Sequence, residues 1–116
     1  MRKIFILSLT FLLIFSFSVS ADEIKIGSCI YRFNDAFMLR FRNAMSSESE
    51  KLGAKLEHAD GQDNQTTQNE QVDAFIADGV NVLIVNPVDR MSSQNIIDKA
   101  KEKNIPVVFI NREPAP

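Results

Sequence analysis

Three largely apolar runs, 24–30, 80–85 and 106–110, and a short mixed one, 54–59, read as strands and alternate along this chain with three stretches patterned as helices. That alternation leaves few ways to fold. Strands separated by helix-length connections pair in parallel through right-handed crossovers, with the helices packed on the sheet. Val80-Asn81-Val82-Leu83-Ile84-Val85 is nearly all apolar, as a strand flanked by helices is. The first helix takes Asn34 or Asp35 as its cap and Gly53 as its terminator, and its packing face reads Phe37, Phe41, Ala44, Met45 and Leu52, broken by Glu48. The second runs from about Gln65 to Asp78, capped by Asp63 or Asn64. It packs through Val72, Phe75 and Ile76, and its first half is wholly polar. The third starts near Ser92, packs through Ile96, Ile97 and Ala100, and ends at Asn104. Pro106 opens the last run at the position a strand tolerates best. The expected fold class is α/β with a parallel sheet.

The N-terminus reads as an export address. Arg2 and Lys3 precede an uncharged, Ile-, Leu- and Phe-rich stretch, and Val19-Ser20-Ala21 offers small residues before Asp22-Glu23. This order of regions predicts a signal peptide over 1–21, cleaved after Ala21. An uncleaved membrane anchor is the competing reading, since 4–21 nearly suffices to span a bilayer; Ser8, Ser16, Ser18 and Ser20 weigh against it. Cleavage leaves 95 residues without Arg2 and Lys3, so the formal charge falls from −2 to −4. An acidic chain has no general grip on nucleic acid or anionic lipid. Cys29 is the only cysteine and sits in an apolar run, so it reads as a buried, inert thiol.

Catalytic and cofactor motifs are missing. Tyr31-Arg32-Phe33-Asn34-Asp35 follows the first strand without the glycine spacing that a dinucleotide pyrophosphate needs, and there is no phosphate-binding loop or nucleophile elbow. His58 is the sole histidine, with no partner suited to a metal site, so no metal is expected here. Asp60, Asp63 and Asp73 read as loop and surface residues.

In open α/β sheets, ligands bind in the crevice outside the carboxyl ends of the strands. Asp35 and Asn86 follow the first and third strands there. Asp35 reads either as a helix cap or as a carboxylate that accepts hydroxyl hydrogens. Asn86 reads as a turn residue before Pro87 or as an amide that both donates to and accepts from a hydroxyl. Phe37 and Tyr31 lie beside Asp35. An aromatic face suits the C–H face of a pyranose, although Phe37 also fits a core position. Asn111 and Arg112 follow the fourth strand and open on the same edge, with Arg112 either a donor to hydroxyls, a brace for Asp35 or a surface charge.

Ile26-Gly27, Ile30 to Met38, Gln68 to Asp73, Asp78-Gly79-Val80-Asn81, Val85 to Asp89 and Ile105 to Pro114 together resemble the opening of periplasmic galactose/glucose-binding proteins. The Asp-Gly-Val turn is common to all type I sugar-binding proteins and related repressors. The Tyr-x-Phe-x-Asp-x-Phe opening and the Asn-Arg-Glu-Pro close are narrower. The resemblance implies a three-layer, Rossmann-like parallel sheet, a partial N-terminal lobe over 22–116. It also implies a monomeric receptor that captures a hexose and delivers it to the membrane subunits of an ABC transporter, with a possible second reading by a chemoreceptor. By matching motif, Asp35 binds hydroxyls, Phe37 stacks on the ring, Asn86 binds a further hydroxyl, Tyr31 lines the site, and Asn111 and Arg112 lie at it. Pro87 departs from members with a larger residue there. The second lobe, with most sugar ligands and a calcium site, has no counterpart here, which reads as a truncated gene or a partial sequence.

The competing functions separate on sequence. A sugar-responsive transcription regulator would open on a basic helix-turn-helix, where this chain has an apolar export signal. A secreted enzyme would need a second titratable group converging on Asp35 or His58. A receptor for another monosaccharide such as ribose, and a fragment without independent activity, stay open.

Overall fold

A computed structural model describes residues 21–116. The expected export segment lies outside the described residues, apart from Ala21. The elements run β1 (Lys25–Ile30), α1 (Ala36–Lys51), β2 (Lys55–Asp60), α2 (Gln65–Ala77), β3 (Val82–Val85), a 3-10 turn (Arg90–Ser92), α3 (Ser93–Glu102) and β4 (Val107–Phe109). All pairings are parallel and the strand order is β2-β1-β3-β4. Each helix lies where the sequence pattern puts it. The last strand is shorter than the apolar run that predicts it.

β1 is an interior strand, and Ser28, Cys29 and Ile30 are all fully buried. Cys29 packs with Val72, Phe75, Val80, Leu83, Val85, Ile96 and Ala100, the face covered by α2 and α3. Ile30 packs on the opposite face with Tyr31 and Met38, joined by Phe41 and Met45 of α1. The result is three layers, with α1 on one side of the sheet and α2 and α3 on the other. Each large aliphatic side chain buried this way contributes about 1.5–3 kcal/mol. Burial also pushes the Cys29 thiol up to about 12, so it stays protonated and unreactive.

The phase of α1 differs from the sequence reading by one position. Met38 and Ser49 are its buried residues, with Phe41 and Met45 half-buried, whereas Phe37 is 59% exposed and Leu52 74% exposed. Phe37-Met38 offers two adjacent apolar residues, so periodicity alone fits either phase. The cap decides: Asp35 accepts from Met38 N and starts the helix with Met38 turned to the sheet.

Gly27 marks the tightest approach of α2 to the sheet. A Cβ there would lie 2.6 Å from Cγ of Phe75. Gly27→Ala is therefore expected to lower stability by roughly 1–3 kcal/mol, the usual cost of overpacking. Urea unfolding measures it, and an unchanged midpoint would mean that the Phe75 ring yields freely.

Candidate functional site

The carboxyl edge of the sheet is tied together by Asn86. Its backbone N–H donates to Cys29 O at 2.8 Å, extending the β1–β3 ladder by one residue. Its side chain then spans both neighbours: Oδ1 accepts from Tyr31 N at 3.4 Å, and Nδ2 donates to Ile110 O at 3.0 Å. Its own carbonyl accepts from Gln68 Nε2 at 3.0 Å, while Gln68 Oε1 accepts from Val88 N at 3.0 Å. One amide thus joins the ends of β1, β3 and β4, and a second ties that junction to α2. Both side chains are fully buried. Of the two readings of Asn86, the structure describes the structural one: the side chain has no exposed surface and both polar atoms bond the protein.

The polar first half of α2 has the same purpose. Gln65 Oε1 accepts from Asp89 N at 2.8 Å and Gln71 Nε2 donates to Asp60 O at 2.6 Å, on either side of the Gln68 contacts. Three glutamines, three residues apart, hold the loops after β2 and β3. Sequence reasoning missed them. The signal was their spacing of about one helical turn on an all-polar stretch.

Asp35 stands beyond the end of β1 with its side chain 24% exposed. Oδ1 accepts from Met38 N at 2.9 Å, so the cap reading holds, and Asn64 caps α2 in the same way through Thr67 N. Oδ2 accepts from the Tyr31 hydroxyl at 2.5 Å and lies 4.0 Å from Arg32. The Tyr31 hydrogen bond, followed by that from Met38 N, holds the Asp35 carboxyl below its usual range. A carboxylate has about four acceptor positions. Two are used by the protein, and the rest are free for a donor from solvent or ligand.

Tyr31 is only 5% exposed and its hydroxyl is committed to Asp35. Arg112 lies over its ring, 4.2 Å from the centroid, and Arg32 approaches to 5.0 Å. Arg112 Nη1 also donates to Pro87 O and Val88 O, at 3.2 and 3.3 Å, which fixes the guanidinium while leaving its other N–H groups available. Pro87 therefore helps to place the donor, because its carbonyl is one of the two anchors.

Asn111 is exposed and held at φ 61 by a three-residue turn in which Arg112 N donates to Ile110 O at 2.6 Å. A left-handed backbone at a non-glycine residue costs energy, and such strain clusters at binding sites. Asn111, Arg112, Arg90, Phe109 and Glu113 line an open hollow of about 480 Å³. A second hollow, of about 330 Å³, is bordered by Arg32, Phe33, Asn34, Asp60, Gln62 and Asp63. Phe37 presents an exposed ring in the first turn of α1, 6.1 Å from Phe41. His58 is elsewhere, half-buried with its Nε2 3.1 Å from Ser46 Oγ. Burial lowers its pKa, and it takes no part in this edge.

An open parallel sheet with an ionised acceptor, a fixed guanidinium and an exposed ring at its carboxyl edge defines an α/β ligand-binding lobe. The chain belongs to the periplasmic binding protein domain family, whose model matches residues 26–116. Among its relatives, the D-galactose/methyl-galactoside binding periplasmic protein of Haemophilus influenzae is 43% identical over 100 residues, covering 85% of this chain and 30% of that protein. The ribose import binding protein of Bacillus subtilis is 29% identical over 95 residues, covering 82% of this chain and 31% of that protein. Among solved structures, an ABC transporter solute binding protein from Bacillus halodurans with bound myo-inositol matches with a TM-score of 0.72 and 32% identity. That match covers 78% of this chain and 31% of the other. The chain thus spans about a third of the length of the relatives it matches.

Removing the Asn86 side chain leaves the buried Tyr31 N–H without a partner and takes one of two donors from Ile110 O. Asn86→Ala is expected to cost about 1–3 kcal/mol of stability, read as a lower urea midpoint at an unchanged slope. Unaltered stability would mean that these backbone contacts matter little to the fold.

Proposed function

We propose that this chain forms part of the N-terminal lobe of an exported receptor that captures a hexose of the galactose/glucose type for import by an ABC transporter. The observation that carries this reading is Asp35, a carboxylate fixed by two protein donors and still partly exposed at the carboxyl edge of the sheet. Asp35 accepts from sugar hydroxyls, Arg112 and Asn111 donate to others, and Phe37 packs against the C–H face of the pyranose. The task is capture and delivery rather than catalysis, and the place is the periplasm. The greater identity to the galactose-binding relative than to the ribose-binding one supports a hexose. The motifs Tyr31 to Phe37 and Asn111 to Pro114 support it as well.

The test is a chimera in which 22–116 replace the matching segment of the Haemophilus influenzae relative. Asp35→Ala is expected to weaken galactose binding about tenfold or more, because it removes a charged acceptor. Titration calorimetry decides it, and unchanged affinity would leave Asp35 as a helix cap only.

A second reading, that this chain has no independent binding activity, follows from geometry. Binding sites bury 70–90% or more of a ligand, and one edge leaves the other face of the sugar in water. The chain alone is expected to bind galactose or glucose more weakly than about 1 mM. Saturation-transfer NMR measures this, and micromolar affinity would show that one edge suffices. Export is tested separately. Mass spectrometry of secreted protein is expected to find Asp22 as the first residue, and retained Met1 would favour a membrane anchor.

A further inference from the structure

We infer that Tyr31 is a positioning residue for the sugar site, setting the acceptor Asp35 and the donor Arg112 in one fixed relation through the two ends of a single buried side chain. The inference rests on the reading of Asp35 as a ligand acceptor. Three observations carry it. The Tyr31 hydroxyl donates to Asp35 Oδ2 at 2.5 Å, while Met38 N holds Oδ1, so the plane of the carboxylate is determined from both sides. The Arg112 guanidinium lies 4.2 Å from the ring centroid and is held in the remaining directions by Pro87 O and Val88 O. The ring itself cannot drift, because it is 5% exposed, packed with Ile30 and Met38, and its backbone N–H is held by Asn86 Oδ1.

The chemistry suits the arrangement. A carboxylate with one oxygen held by a phenol and the other by a backbone amide has its free lone pairs aimed in set directions. A guanidinium on an aromatic face gains attraction from the ring without losing its in-plane donors. A neutral polyol, which gains little from bulk charge, is then recognised by direction. Preorganisation of this kind improves affinity by removing ordering costs at binding.

The chain offers an unusually clean test, because Tyr31 is its only tyrosine and it has no tryptophan. Phenolate absorbance therefore reports this one hydroxyl. In the parent chain it is expected to ionise above the ordinary tyrosine range of about 10, since donation to Asp35 holds the proton on. In Asp35→Ala the ionisation is expected to move back toward that range. Tyr31→Phe keeps the ring and deletes the donor. Carbon-13 NMR is then expected to show the Asp35 carboxyl titrating closer to an ordinary carboxylate. Galactose affinity of the chimera is expected to fall roughly 5- to 20-fold.

If Asp35→Ala abolishes binding while Tyr31→Phe leaves both affinity and the Asp35 titration unchanged, the positioning role is overturned and the sugar site stands. If Asp35→Ala binds like the parent, the site reading fails and takes the inference with it. Should Tyr31→Phe fold poorly, 3-fluorotyrosine at position 31 serves instead. Its more acidic hydroxyl donates more strongly and is expected to lower the Asp35 titration further, and no movement would overturn the role.

Discussion

The architecture of the binding edge depends on one buried amide. Parallel strands end without a turn to join them, so beyond the last ladder hydrogen bonds only side chains can tie the ends of β1, β3 and β4. Asn86 supplies that join from the middle strand, reaching Tyr31 on one side and Ile110 on the other. The residues it aligns are those that lead directly into Asp35 and into Asn111 and Arg112. An amide suits the position because it donates and accepts at once. A carboxylate would face the Ile110 carbonyl with repulsion, and an aliphatic side chain would leave the buried Tyr31 N–H unpaired. Gln68 repeats the device from α2, so the helix layer and the strand ends move as one body.

On that frame the site separates its buried framework from its exposed surface. Asn86, Gln68 and Tyr31 are hidden and spend their polar atoms on the protein, while Asp35, Phe37, Asn111 and Arg112 have surface to offer. Tyr31 and Asn86 of the first set and Asn111 and Arg112 of the second occupy similar places in the sequence, soon after a strand. What distinguishes them is whether a neighbouring backbone group lacks a partner. Tyr31 stands at the boundary, with its body in the core and its hydroxyl reaching the carboxylate that faces solvent.

Much of this was legible before any coordinates. The strand–helix alternation led to a parallel α/β sheet because few other arrangements satisfy it, and Gly53, Gly79, Asn64 and Asp35 marked helix ends through backbone rules that act locally. Asp35, Asn111 and Arg112 were placed on the correct edge by the same logic. The misreadings have physical causes. Phe37 and Met38 are adjacent and both apolar, so the phase of α1 depended on a cap hydrogen bond that periodicity does not encode. Asn86 reads as a turn residue or a hydroxyl-binding amide; its tie to Ile110, 24 residues away in sequence, is a contact that local pattern does not encode. The glutamines of α2 read only as a polar half-helix, since partners in two separate loops leave no trace in local composition.

The strand order also bears on how the chain reaches this structure. β1 is central, yet its second neighbour is β3, and the pairing of Ile26 with Val82 spans more than fifty residues. Bringing such distant segments together costs loop entropy before any contact repays it, which slows folding. Until β3 arrives, one side of β1 has no ladder and Cys29 has no layer above it. The Asn86 join comes later still, since it needs β4 in place. The Asn86 join therefore exists only when β1, β3 and β4 are all in place, which makes the carboxyl edge a reporter of the closed sheet.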